Sequence, residues 1–449
     1  MKILHYALGF PPYRTGGLTK FCIDLMIQQA NDGDIVAMIW PGKIGLVDKK
    51  ISIKRHQNVC MKNQNIMNFE IINPLPVPFD EGIKDIKAYT KYGEYDEYKK
   101  LLDILNPDVI HIHTLMGLHK SFLDVAKNKG IRLVFTAHDF FPICPKVTMY
   151  KNGTICESVK SCEMCAVCNS TALSLSKIKI LQSSIYRNFK DTLLIKKLRK
   201  KHRDKYLSDV FGSENIESKR TAKDYKELRN HYYKLLKLMD VIHYNSETTK
   251  MVYESIFHFS NWCVIGITHA DIIDNRKKKN YTGNKIRIRY LGPQSGAKGY
   301  FILKAALDEL WKEQNKFCLD VHFKPDEISP YMNIHSRYNY NELERIFDDT
   351  DVLVVPSIWY ETFGFTVLEG LSYGVPVIIS DHVGAKDILA NGAGIIIENI
   401  TAEKLCNIFK NLTVCKLSEM NNIIVKQQVI LGIESMSRQI KHQCYIRIM

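Results

Sequence analysis

Asp351-Val352-Leu353-Val354-Val355-Pro356-Ser357-Ile358-Trp359-Tyr360-Glu361-Thr362-Phe363-Gly364-Phe365-Thr366-Val367-Leu368-Glu369-Gly370 is the stretch that decides the architecture. A short run of branched apolar residues stops at a proline, which cannot continue a buried ladder, so Asp351 to Val355 reads as a strand closed by a loop. Phe363-Gly364-Phe365 opens a helix from about Thr366 to Tyr373, and Val375 to Ile379 is strand again. Strand, loop, helix and strand in that order build a parallel sheet with helices on both faces. Such sheets present ligands at the carboxyl ends of their strands. Glu361 lies in the loop and Glu369 on the helix, so both carboxylates can face one ligand, and a carboxylate accepts hydrogen bonds from vicinal hydroxyls. The bare backbone at Gly364, beside a helix start, suits a phosphate.

The same alternation extends on both sides. Lys285 to Leu291 is a strand, Gly292 to Gly299 a loop, and Tyr300 to Glu313 a helix. Nearer the amino terminus, Lys2 to Leu8, Ile35 to Ile39, Val109 to His113, Arg132 to Thr136 and Val241 to Tyr244 are strand-like. Gly16-Gly17 follows the first strand and opens a helix from Leu18 to about Ala30. The turn-rich, charged Asn275-Arg276-Lys277-Lys278-Lys279-Asn280 reads as a linker. The reading is therefore α/β, with two doubly wound domains facing each other across a cleft. Residues 1–275 form the first domain, with a Cys-rich loop (144–168) and a basic helical insertion (170–240). Residues 276–425 form the second, and 426–449 a terminal helix that returns to the first.

Composition narrows the class. The 449 residues are 45% hydrophobic and 24% charged, which excludes a largely disordered chain. No apolar run approaches the roughly 18 residues of a membrane span. The opening Met1-Lys2-Ile3-Leu4-His5 reads as a buried strand rather than an export signal, so the expectation is a cytoplasmic protein, with peripheral attachment to the inner face of the cell membrane as a further option. The 62 Lys and Arg against 48 Asp and Glu leave a net charge of +14, a balance that favours phosphates or anionic surfaces.

Five motifs in a fixed order carry a resemblance. They are Gly16-Gly17, His111-Ile112-His113, Thr136-Ala137-His138-Asp139, Gly292 to Lys298-Gly299, and Glu361 with Glu369, separated by seven residues. Together they resemble the retaining glycosyltransferases of the GT-B fold often called family 4 (glycosyl transferases group 1). The resemblance implies transfer of a sugar from a nucleoside diphosphate donor to a saccharide or lipid-linked saccharide, as in surface or capsular polysaccharide synthesis. It implies that Glu369 holds the donor ribose, and that Glu361 lies near the donor sugar with backbone from Gly364, Phe365 and Thr366. Lys298 would neutralise the leaving diphosphate, Gly16 and Gly17 would close over the phosphate, and His113 would line the sugar pocket. No cofactor is required for that chemistry. Pro293 departs from the pattern, because the family usually carries an arginine after the glycine of that loop; Arg289 lies inside the preceding strand.

His138 and Asp139 are cleft candidates. An acid/base pair is one reading, and a cleft-lining histidine is the stronger one in a stereochemistry-retaining family. His111 reads as a packed strand histidine. Cys144, Cys156, Cys162, Cys165 and Cys168 supply enough thiolates for a structural zinc, with reduced or redox-labile cysteines as the alternative. The basic run Arg187 to Lys205, with Ile185, Phe189, Leu193 and Leu194, fits either a helix on an anionic membrane surface or one packed on the first domain. It lacks the aromatics and motifs of nucleic-acid binding. Two other functions stay open: a nucleotide-sugar epimerase of the same fold, and a non-catalytic binding module.

Overall fold

Strands buried on both faces read as unbroken apolar runs, and such runs form the centre of both sheets in a computed structural model of the chain. It describes every residue except 12–13, 46–48, 58–65, 79–81, 152, 157–158, 190–191, 193–194, 196, 198–219 and 447–449. The first sheet contains β1 (Lys2–Tyr6), β2 (Ile35–Pro41), β3 (Ser52–His56), β4 (Met67–Ile72), β5 (Val109–Ile112) and β6 (Arg132–Ala137). A small hairpin, β7 (Tyr150–Lys151) with β8 (Thr154–Ile155), lies in the cysteine loop, and β9 (Val241–Tyr244) and β10 (Trp262–Val264) complete the first sheet. Its order is β10-β9-β6-β5-β1-β2-β4-β3. Every pairing is parallel except β3 with β4, which closes one edge as a hairpin.

The second sheet contains β11 (Ile286–Tyr290), β12 (Phe317–Val321), β13 (Met332–Ile334), β14 (Val352–Val355), β15 (Val377–Ser380) and β16 (Gly394–Ile397). Its order, β13-β12-β11-β14-β15-β16, is fully parallel and reverses direction between β11 and β14. The first sheet reverses between β1 and β5. Crevices open outside the carboxyl ends of strands at those reversals.

The segment read as a linker is stapled rather than loose. Asn275 N–H donates to Ser372 O (2.8 Å), Arg276 Nη1 to Ile424 O (2.9 Å), and Asn421 Nδ2 to Lys277 O (3.1 Å). Its charges find carbonyls and carboxylates of the second domain, which is why a polar run here does not stay solvated. The terminal helix Ile433–Ile440 crosses back to pack on helix Gly17–Asn31 of the first domain. Lys441 Nζ pairs with Asp34 (2.8 Å), and Arg132 Nε donates to Cys444 O (2.7 Å).

The basic insertion opens with short helices. Leu175–Leu181 and Ser184–Phe189 are separate short helices, and Arg187 ties the second to the first domain through Glu70 (2.9 Å) and the Trp40 ring. Most of the basic run beyond it, including Lys190, Lys196, Lys200, Lys201 and Lys205, lies outside the described residues. Among the described residues, no helix is long and apolar enough to cross a membrane.

One face of the first sheet carries a layer of histidines beneath helix Gly17–Asn31. His5 Nδ1 meets His113 Nε2 (3.0 Å), whose Nδ1 meets His138 Nε2 (3.3 Å). His5 Nε2 meets Gln29 Oε1 (2.8 Å), and Gln29 donates to Tyr445 OH (3.0 Å). His111 lies between Tyr445 OH (2.6 Å) and Thr136 Oγ1 (2.6 Å), and His243 completes the chain from Thr136 (2.8 Å) to Ile265 O (2.8 Å). Burial lowers the pKa of His5 and His243 to about 4 and of His138 to about 3, and holds His111 and His113 well below the ordinary histidine value.

These rings fold neutral, so the unfolded chain takes up protons first as pH drops below 6.5. Stability should be level above pH 7 and fall between pH 6.5 and 4. Burial of His5 or His243 alone corresponds to about 2 kcal/mol lost between pH 7.5 and 5. Urea unfolding at those two pH values checks this, with His5→Gln giving a smaller difference than the parent. Equal differences would show that the histidine layer does not govern acid stability.

Candidate active site

The loops after β11 and β14 meet at the reversal of the second sheet, and their closeness dictates residue type. Gly299 has φ +74°, and a β-carbon there would lie 1.8 Å from Pro356 O, so only glycine lets the two loops touch. Gly364, at φ +101°, turns the second loop into helix Phe365–Ser372. Between these loops and the first domain lies a cleft of about 550 Å³. Gly17, Leu18 and His138 line it from the first domain; Lys298, Ser357, Glu361, Phe365, Thr366 and Glu369 line it from the second.

Glu361 is the best-held carboxylate in the cleft. Its Oε1 accepts from Ser357 Oγ (3.0 Å) and Trp359 Nε1 (2.9 Å) and pairs with Lys298 Nζ. Burial alone would raise its pKa; the Lys298 charge and the three hydrogen bonds outweigh it and hold the pKa below the usual value, so the group is anionic. Lys298 also lies 4.8 Å from the Trp359 ring centre, a cation–π contact that fixes its direction. Glu369, one turn into its helix, is 5% exposed and also lines the cleft.

Three helices begin around this cleft without a side-chain cap: Gly17–Asn31, Tyr300–Glu313 and Phe365–Ser372, each preceded by glycine. Elsewhere Ser or Thr caps the helices Ala222–Leu236, Glu247–Glu254, Ala402–Lys410 and Val414–Gln427, whereas Tyr95–Leu105, Lys120–Asn128 and Ile433–Ile440 also lack a side-chain cap. Uncapped helix starts direct backbone N–H groups and positive dipole ends outward, which is how a fold binds an anion. Among the described residues lining the cleft, Lys298 is the one lysine or arginine. Arg289 does not reach it. Its guanidinium is 3% exposed and is used by Thr350 (3.1 Å), His322 (3.3 Å) and Asp320 (3.6 Å).

Other expected site residues fall elsewhere. Gly16 caps the first helix at φ +116°, with Gly17 against the Phe365 ring across the cleft. His113, expected in the sugar pocket, is fully enclosed one layer below, behind His138. Asp139 does not orient His138: its Oδ1 accepts from Phe141 N–H (2.9 Å), and burial raises its pKa to about 6. With its own pKa near 3, His138 lines the cleft as a neutral ring.

Among the described residues, no three of the five cysteine sulfurs come within 4.8 Å of one another, the closeness a thiolate cage needs. Arg229 Nη1 lies 2.8 Å from Cys162 Sγ and its Nη2 3.9 Å from Cys165 Sγ, so a guanidinium faces these two sulfurs. Among the described residues, the groups with three ligand atoms within 4.8 Å of one another are His5/His111/His113 and Cys22/His113/His138, both in the histidine layer. Residues that sequence reasoning missed include Tyr338, Asn339 and Tyr340, which wall the cleft, and His269, whose Nε2 lies 3.5 Å from Glu369 Oε1. Tyr-Asn-Tyr is an aromatic signal in a polar loop; His269 stands in no motif.

Residues 323–427 match the family profile described as glycosyl transferases group 1, a stretch that contains both glutamates but not Lys298 or Gly16-Gly17. Sucrose synthase 2 of Oryza sativa subsp. japonica is 35% identical over 85 residues, covering 19% of this chain and 10% of that protein. An uncharacterized 41.2 kDa protein in the cps region of Klebsiella pneumoniae is 28% identical over 135 residues, covering 29% of this chain and 37% of that one. The chain thus spans about a tenth of the length of the sucrose synthase. Likeness in structure extends much further. Sucrose-phosphate synthase from Thermosynechococcus elongatus is similar over 98% of this chain and 97% of its own (TM-score 0.55, 13% identity). A UDP-forming α,α-trehalose-phosphate synthase from Burkholderia xenovorans, solved with glucose-6-phosphate, is similar over 99% and 100% (TM-score 0.56, 10% identity). Anabaena HepE, solved with UDP and glucose, is similar over 98% of both chains (TM-score 0.54, 12% identity). The fold is GT-B.

Removing Lys298 strands a buried anion, so Lys298→Met should lower stability by about 2 kcal/mol. Adding Glu361→Gln to that variant should restore most of the loss. Thermal unfolding of the two single variants and the double variant checks the coupling; additive losses would show that the pair is not linked.

Proposed function

We propose that the chain is a retaining glycosyltransferase that moves a sugar from a nucleoside diphosphate donor to a saccharide acceptor. The observation that carries this reading is the Glu361–Lys298 pair beside Glu369 at the reversal of the second sheet, under three uncapped helix starts. Glu369 accepts from the ribose hydroxyls, and the diphosphate lies against Lys298 and the start of helix Phe365–Ser372. The acceptor hydroxyl attacks the anomeric carbon from the face that the diphosphate leaves. The sugar–phosphate C–O bond breaks with its electron pair going to the diphosphate, a new glycosidic C–O bond forms, and the hydroxyl proton passes to a departing phosphate oxygen. Lys298 stabilises the charge that grows on that oxygen. The UDP and UDP-glucose complexes of Anabaena HepE favour a UDP-sugar as donor. The Klebsiella relative's cps region favours a surface-polysaccharide acceptor.

The donor site is tested by nucleoside diphosphate release from UDP-, GDP- and ADP-sugars. Slow release from one donor, reduced about tenfold or more by Glu369→Gln, is expected, since the charged acceptor for two hydroxyls is lost. No release and no thermal stabilisation by any nucleoside diphosphate would overturn the reading.

A lipid-linked acceptor would need the enzyme at a membrane surface. Ile180, Ile185 and Phe189 are exposed beside the basic run, which supports a peripheral contact with anionic lipid. Sedimentation with phosphatidylglycerol vesicles should fall as salt rises, with Phe189→Ser weakening it. Absence of binding at low salt would remove the membrane from the proposal.

A further inference from the structure

His269 belongs to none of the motifs, yet it is the side chain that joins the first domain to the carboxylate Glu369. It stands in the segment that leaves β10, and that segment is fixed to the first domain. Ala270 N–H donates to Asp24 Oδ2 (2.9 Å), Asp271 pairs with Lys20 (2.9 Å), and Thr268 N lies 3.2 Å from Met436 Sδ. The ring itself crosses into the second domain. It packs edge-on against Phe365 (5.1 Å between centres) and Tyr340 (5.5 Å), both of which line the cleft.

The imidazole is fully buried, and among the described residues neither ring nitrogen has a hydrogen-bond partner. Buried polar groups left unpaired are unfavourable and rare. Here Glu369 Oε1 lies 3.5 Å from Nε2, just beyond the hydrogen-bonding range of roughly 2.7–3.2 Å. Contacts at catalytic carboxylates are often long before the ligand arrives and tighten when it binds.

We infer that His269 is a positioning residue for Glu369: Nε2–H donates to Oε1 once a nucleoside diphosphate binds, leaving the second carboxylate oxygen fixed toward the ribose hydroxyls. The inference rests on the reading of Glu369 as the ribose carboxylate. It follows that ribose recognition depends on both domains, because the ring is carried by one and the carboxylate by the other.

Isothermal titration of the full chain with UDP, GDP and ADP and with their 2′-deoxy forms tests this. The wild type should bind its best ribonucleoside diphosphate at least about tenfold more tightly than the deoxy form. His269→Leu should cut that preference below about threefold while changing affinity for the deoxy form by less than about twofold, and His269→Gln, which keeps a donor, should recover it. A His269→Leu variant that keeps the full preference makes the ring a packing element and overturns the inference alone. Absence of preference in the wild type, or its survival in Glu369→Gln, overturns the ribose reading and this inference with it. If His269→Leu fails to fold, the ¹⁵N resonances of His269 in the wild type decide. A shift on adding the diphosphate that is lost in Glu369→Gln supports the pairing, and no shift overturns it.

Discussion

A carboxylate buried beside a lysine determines the rest of the cleft. Glu361 stays charged because Lys298, Ser357 and Trp359 all point at one of its oxygens. Each partner comes from a loop at the same end of the second sheet, so satisfying the charge fixes the spacing between the loops after β11 and β14. That spacing in turn admits no β-carbon at residue 299. The glycine and the ion pair are two consequences of one close approach.

The same loop is anchored from the other side. Thr362, next to Glu361, accepts at its carbonyl from Ser246 Oγ (2.6 Å) and Thr249 Oγ1 (3.0 Å), and its own Oγ1 donates to His138 O (3.0 Å). The start of helix Glu247–Glu254 is joined as well, with Glu247 N–H on Asp387 Oδ2 (2.6 Å). A second join is made by the terminal helix, which leaves the second domain and ends with Tyr445 inside the histidine layer of the first. The cleft is thus bounded by contacts that belong to both domains, and a movement of one against the other must break polar bonds near Thr362 before it opens the site.

Much of this was legible in the sequence wherever a short motif encodes a local geometry. Asp351 to Gly370 gives strand, loop and helix start directly, because a branched apolar run, a proline and a glycine each restrict the backbone. Peripheral strands gave weaker signals: β3, at one edge of the first sheet, alternates with charged residues, and β12, next to the edge of the second, carries Asp320 within five residues. The histidine layer was not legible as a layer. His5, His111, His113, His138 and His243 are scattered over nearly 240 positions and meet only through the strand order β9-β6-β5-β1. His113 matched a pocket motif and lies beneath the pocket for the same reason: the motif fixes its strand, while the depth of its ring is set by His138 and helix Gly17–Asn31 above it. Cysteine spacing likewise could not show that Arg229, more than 60 positions on, would fill the space between the sulfurs.

Pro293 stands where the glycosyltransferases that this chain resembles carry an arginine, and on the proposed reading that leaves Lys298 with two demands. Without ligand, its charge is used in holding Glu361. On the proposed reading a diphosphate brings further negative charge beside the same ammonium, and the Glu361 carboxylate so close would oppose it. The arrangement is workable because Glu361 does not depend on Lys298 alone: Ser357 and Trp359 remain on its oxygen, and hydroxyls of the donor sugar can donate to the other. On the same reading the uncapped helix starts take the share of phosphate charge that an arginine would take, through fixed backbone dipoles that need no rearrangement. On that reading, Lys298, the one lysine or arginine among the described residues lining the cleft, exchanges carboxylate for phosphate, so that arrival of the diphosphate is coupled to release of Glu361 toward the sugar.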